Sequence, residues 1–70
     1  MSRLSNEKPY RKLIGLRAEH GLTQVELAEK LGISETSYID KEKGRIDFKV
    51  SEVNIILRLF NVKYEEIFLR

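Results

Sequence analysis

Two helix starts stand unusually close together in this sequence. Thr23-Gln24-Val25-Glu26 reads as a capping box, in which the threonine caps a helix and the glutamate three residues on reaches back to it. Gly32 stops that helix and Ser34 can cap the next, which leaves only a tight turn between two helices of about eight residues each. Val25, Leu27, Ala28 and Leu31 give the first of them an apolar side. A small residue at Ala28 lets its partner helix approach closely, and Gly32 can take the left-handed backbone of a sharp turn. Tyr38 can tie the second helix to a core.

The remaining segments are helical as well. Leu13, Leu16 and Ala18, with Ile14 beside them, recur at helical spacing after Pro9, which suits a first turn because its missing N–H has no partner there. Gly21 supplies the stop. His20 just before it is read as structural, a donor or cation meeting free carbonyls at the helix end. The third helix runs from Glu35 to about Lys43 and closes at Gly44; it is poor in apolar residues, so most of its surface faces solvent or a partner. After a loop holding Ile46 and Phe48, Ser51 can cap a fourth helix whose inward stripe is Val53, Ile56, Leu57 and Phe60. Tyr64 to Phe68 make a last short turn. With no strand alternation or repeat, the fold class is all-α, a compact bundle of about five short helices.

Composition narrows the function. Seventy residues, 8.2 kDa, support one small core. There is no cysteine and one histidine, so neither a disulfide framework nor a cysteine or histidine metal cluster is available, and packing must supply stability. No metal, cofactor or enzymatic role is expected: His20 lacks a matched nucleophile, and Glu65 and Glu66, adjacent on a helix, point apart. The longest apolar stretch ends at Arg58 and no leader or anchor is readable. The net charge is only +2, but residues 1–12 carry four basic groups against one acidic, +3, while residues 13–34 sum to −1 and the rest is neutral. The domain reading is therefore a basic N-terminal arm, residues 1–8, as a mobile tail or a partner-contacting arm, followed by a folded domain over 9–70.

Leu22-Thr23-Gln24-x-Glu26-Leu27-Ala28-x-Lys30-Leu31-Gly32-Ile33-Ser34, followed by Glu42-Lys43-Gly44, resembles the Xre-like helix-turn-helix family that includes phage repressors and Cro proteins. The likeness covers about Tyr10 to Phe68. The closing segments Phe48-x-Val50-Ser51-Glu52, Leu59-Phe60-Asn61-Val62 and Glu66-Ile67-Phe68 are similar to small phage-borne regulators of low-GC Gram-positive bacteria. By this resemblance helix 35–43 is a recognition helix in the major groove, with Glu35, Thr36, Ser37, Ile39 and Asp40 as candidate base readers. Glu35 has a plainer role available too, as a first-turn acid that favours the helix dipole.

The resemblance also implies phosphate contacts. Gln24, at the start of the second helix, would address a phosphate with its amide and the free backbone N–H groups, and Lys43 and Arg45 would grip the strand beyond the recognition helix. Lys41 stands where most relatives carry an apolar residue; its stem would pack while its ammonium reaches solvent or phosphate. Arg17 and Glu42 would form a structural ion pair between the first helix and the end of the recognition helix. The loop around Phe48 lacks the proline common there.

The implied function is a sequence-specific, double-stranded DNA-binding transcriptional regulator in the cytoplasm, bacterial or phage-encoded, with no small-molecule effector and no membrane partner. A homodimer on DNA would raise the affinity of so small a module. Ile55, Leu59, Phe68 and Leu69 are candidates for its dimer patch, or else they complete the core. Two other readings use the same fold: an antitoxin-type autorepressor, and a helical protein-interaction module that has lost its DNA surface.

Overall fold

The computed structural model describes residues 7–69. It contains five helices in chain order, α1 (Arg11–Glu19), α2 (Gln24–Leu31), α3 (Glu35–Glu42), α4 (Val50–Phe60) and α5 (Tyr64–Ile67), and no strand among the described residues. The all-α reading holds. The expectation of a basic arm over residues 1–8 falls mostly outside the described residues; of that segment only Glu7 and Lys8 are described.

The capping chemistry sets the spacing of α2 and α3. Thr23 Oγ1 accepts from the Glu26 N–H at 3.1 Å while Glu26 Oε1 accepts from the Thr23 N–H at 2.9 Å, the two halves of a capping box. Ser34 Oγ accepts from the Ser37 N–H at 3.1 Å. Between them Gly32 sits at φ 73°, ψ 28°, a left-handed conformation that favours glycine, and the Ile33 N–H closes back on the Ala28 carbonyl at 3.0 Å. That hydrogen bond, reaching five residues back, recurs at the ends of α1, α3 and α4, from Leu22 to Arg17, Arg45 to Asp40 and Val62 to Leu57. At α4 the left-handed position is taken by Asn61, φ 55°, a residue type that tolerates it.

Two helix starts differ from the expected ones. Pro9 lies outside α1, whose N-cap is Tyr10, because the Tyr10 N–H is held by the Glu42 carbonyl at 3.0 Å and the chain turns into helix only after it. Ser51 is inside α4, and the N-cap is Lys49, whose N–H is bound by Glu52 Oε1 at 2.9 Å. The third helix ends at Glu42, with Lys43 as its cap.

Leu13, Leu27, Tyr38 and Ile56 are wholly buried and form the centre of the core, with Ala28, Leu31, Phe60 and Ile67 around them. Val53 and Leu57 pack against it only in part, and Ala18 faces solvent. Tyr10, Phe48 and Phe68 form a triangle of rings 5.3–5.7 Å apart that closes one end of the bundle, with Phe48 also 6.2 Å from Tyr38. At α1's end His20 Nδ1 pairs with the Leu16 carbonyl at 2.9 Å and the ring meets Phe60 edge-on at 4.9 Å, so this histidine serves the fold.

Candidate nucleic-acid interface

The fold anchors α3 along one side and leaves the start of the other side open. Tyr38, Lys41 and Glu42 are buried, whereas Glu35 and Thr36 are exposed and Ser37, Ile39 and Asp40 half-buried. All five candidate readers thus sit on a short helix held from behind. Ile39 is the apolar member of that open side. Glu35 lies in the first turn, where its charge complements the helix dipole.

The start of α2 offers donors beside this helix. In any α-helix the first backbone N–H groups have no partner within the helix. Here the capping box occupies those of Thr23 and Glu26 and leaves those of Gln24 and Val25 uncommitted within α2, at the positive end of its dipole. Gln24 itself is half-buried, and its Nε2 donates to Glu42 Oε1 at 2.9 Å.

Glu42 is the junction of three helices. Its other oxygen, Oε2, accepts from Arg17 Nε on α1 at 2.9 Å and from the Tyr38 hydroxyl at 2.6 Å, and the residue is only 2% exposed. Arg17 uses a second donor on the Leu22 carbonyl at 3.0 Å, so it also ties down the approach to α2. Burial works against the Arg17 charge, but the Glu42 carboxylate more than offsets it and holds the guanidinium more firmly protonated than usual. Burial and the hydrogen bond to Glu42 together push the Tyr38 phenol far above its ordinary range, so it stays a donor.

Lys41 has a different place from the one the resemblance suggested. It is buried, 7% exposed, and its Nζ is held by both oxygens of Glu52 on α4 at 2.7 and 2.9 Å. Its ammonium therefore reaches neither solvent nor a phosphate, and the expectation is corrected: a carboxylate in reach across the α3–α4 gap outcompetes extension to the surface. Burial alone would push the Glu52 carboxyl up, but hydrogen bonds from Lys41 and from the Lys49 N–H outweigh it and hold the carboxyl below the usual glutamate range.

Lys43 is exposed at the end of α3. Arg45 is exposed too, yet engaged: Nε donates to Glu7 at 2.6 Å and Nη1 to Asp40 at 3.3 Å, and these partners raise its already high pKa. One of the candidate readers, Asp40, is thus partly neutralised in the protein alone. The dimer candidates separate. Phe68 is buried in the aromatic triangle and is withdrawn as a surface residue, because its ring packs between Tyr10 and Phe48; Ile55 and Leu59 are half-buried against the core; Leu69 is 69% exposed.

Sequence reasoning missed the Gln24–Glu42 hydrogen bond, the Lys41–Glu52 pair and the Glu7–Arg45 contact. The signal for the second was present, since Lys41 and Glu52 are both charged at positions whose neighbours pattern inward. It also missed the exposure of Val25, Ile46 and Val50.

With this geometry in view, the sequence matches the helix-turn-helix family over residues 13–67. The chain belongs to that family. An uncharacterised HTH-type transcriptional regulator of Methanocaldococcus jannaschii is 45% identical over 58 residues, covering 83% of this chain and 88% of that protein. Two uncharacterised HTH-type transcriptional regulators of Archaeoglobus fulgidus are each 36% identical over 53 residues, covering 76% of this chain and 76% and 75% of their own lengths. These relatives are archaeal, so the likeness extends beyond the bacterial and phage setting that the closing motifs suggested. Among the described residues no helix is long and apolar enough to cross a membrane.

Proposed function

We propose that this chain is a sequence-specific, double-stranded DNA-binding transcriptional regulator of Cro or repressor type, reading the major groove with α3 as a homodimer in the cytoplasm. The observation that carries the reading is the anchoring of α3 by Tyr38, Lys41 and Glu42 while Glu35 and Thr36 stay open, with the start of α2 tied to the end of that same helix through Gln24 and Glu42. That arrangement offers base readers on α3 and phosphate donors on the helix packed against it. Thr36 and Ser37 hydroxyls can bond several base edges, Ile39 can pack on a thymine methyl, and Glu35 or Asp40 can accept from a cytosine amino group. Gln24, Lys43 and Arg45 are the phosphate contacts, Arg45 exchanging its present acidic partners for the DNA backbone.

The homodimer follows from scale. A single module of this kind buries roughly 600–1,000 Å², and a two-fold pair on half-sites about one helical turn apart gains the affinity that one lacks. Leu69 and the open parts of Ile55 and Leu59 are the apolar surface assigned to that contact.

Binding to duplex DNA of random sequence across a range of salt tests the reading. Log affinity falls linearly with log salt, by about 0.9 for each phosphate neutralised, and Lys43→Ala reduces the slope by about one per bound subunit. A flat salt response contradicts DNA binding.

A further inference from the structure

Gln24 has no freedom to choose which end of its amide it turns inward. A carboxylate only accepts hydrogen bonds, so Glu42 Oε1, 2.9 Å from Gln24 Nε2, requires the NH2 group and not the carbonyl to face it. Glu42 is itself immobile, its other oxygen fixed by Arg17 on α1 and by the Tyr38 hydroxyl. The Arg17 guanidinium also compensates the carboxylate charge, so an anion brought to the start of α2 does not meet a bare negative group. One amide hydrogen of Gln24 is consumed by Glu42. The second remains, and the backbone N–H groups of Gln24 and Val25 at the same helix start have no partner within α2.

We infer that Glu42 is a positioning residue for phosphate recognition: through its hydrogen bond it sets the amide orientation of Gln24, so that side chain and helix start address one DNA phosphate oxygen together. The inference rests on the DNA-binding reading above and adds to it a residue that touches no DNA. Its chemistry is preorganisation. A glutamine free in solution would lose side-chain freedom on binding and would present its carbonyl to the phosphate part of the time, whereas the held amide does neither. The same carboxylate that joins α1, α2 and α3 thereby links the phosphate contact to the placement of the recognition helix.

The direct substitution, Glu42→Gln, strands the Arg17 charge and risks unfolding, so the test uses Tyr38→Phe. Tyr38 is fully buried and cannot touch DNA; its hydroxyl donates to Glu42 and also lies against Arg17, the other group that holds Glu42, so it reaches Gln24 through that cluster. Affinity for a random-sequence duplex is measured by fluorescence anisotropy for the wild type, Gln24→Ala, Tyr38→Phe and the double variant, each referred to its folded fraction by circular dichroism. Gln24→Ala weakens binding about tenfold, the scale of one charge-assisted hydrogen bond. Tyr38→Phe weakens binding a few-fold when Gln24 is present and leaves the affinity of Gln24→Ala unchanged, the non-additivity expected of one linked unit. Equal losses in both backgrounds, or a lower thermal midpoint with no change in affinity, overturn the positioning role. Unaltered affinity in Gln24→Ala overturns it as well, with the regulator reading intact. A wild-type chain without duplex affinity overturns the regulator reading and this inference with it.

Discussion

Two buried carboxylates hold α3 in place, and they are built differently. Glu42 collects side-chain donors from Arg17, Gln24 and Tyr38, which come from three separate helices, at the edge of the candidate DNA surface. Glu52 has one side-chain donor, Lys41, and the Lys49 N–H, and it joins α3 to α4. Removing Glu52 strands one charge, whereas removing Glu42 strands a guanidinium, a phenol and an amide together. The contrast separates two tasks. The Lys41–Glu52 pair clamps two elements and could be replaced by packing, while the Glu42 cluster places groups that a ligand would use.

The largest expected effect breaks the first cluster. Glu42→Ala leaves the Arg17 charge uncompensated and costs about 3–5 kcal/mol, read by chemical denaturation, which is much of what a domain of this size has. Glu52→Ala strands Lys41 and costs somewhat less, about 3 kcal/mol. The sharper comparison is repair. The double variant Lys41→Met with Glu52→Leu returns to within about 2 kcal/mol of the wild type, because apolar side chains of similar volume substitute for a buried pair and the remaining loss is the Lys49 N–H left without its Glu52 acceptor. Failure of that repair would show that the pair does more than clamp.

The acid limb of stability isolates Glu52. Its carboxyl is held below the ordinary glutamate range in the folded chain, so its contribution is fully present at pH above that range and is lost as the pH falls through the depressed folded value. Glu52→Gln therefore flattens the fall in stability over that acidic window; an unchanged acid limb contradicts the assignment. Smallest are the caps, which touch neither carboxylate. Thr23→Ala and Ser34→Ala each lower the thermal midpoint by an amount equivalent to about 1 kcal/mol. A larger loss at Thr23 than at Ser34 is expected from its reciprocal box.

Local chemistry made much of this molecule legible in its sequence. The Thr23 box, the Ser34 cap and the left-handed Gly32 act within a few residues, so their pattern is read directly and sets the α2–α3 turn. Position along the chain, by contrast, says little about where long side chains end. Lys41 looked like a surface cation because its inward pattern alone does not name a partner, and Glu52, eleven residues on, is brought against it only by the fold. Phe68 looked like a surface residue because its partners, Tyr10 and Phe48, are brought to it only by the tertiary fold. Pro9 and Ser51 were misplaced by one or two residues relative to helix starts because the deciding hydrogen bonds come from Glu42 and Glu52. The likeness to phage-borne regulators pointed toward bacteria, while the regulators of Methanocaldococcus jannaschii and Archaeoglobus fulgidus that it resembles are archaeal.

The central claim is that the open start of α3 reads bases, and it is tested most directly by selecting bound sites from a random duplex pool with the wild type and with Thr36→Ala. The account predicts a pseudo-palindromic consensus for the wild type, with half-sites about one helical turn apart, and relaxed preference at one base position per half-site for Thr36→Ala. A pool that stays random under the wild type, or a consensus that Thr36→Ala leaves untouched at every position, would contradict it.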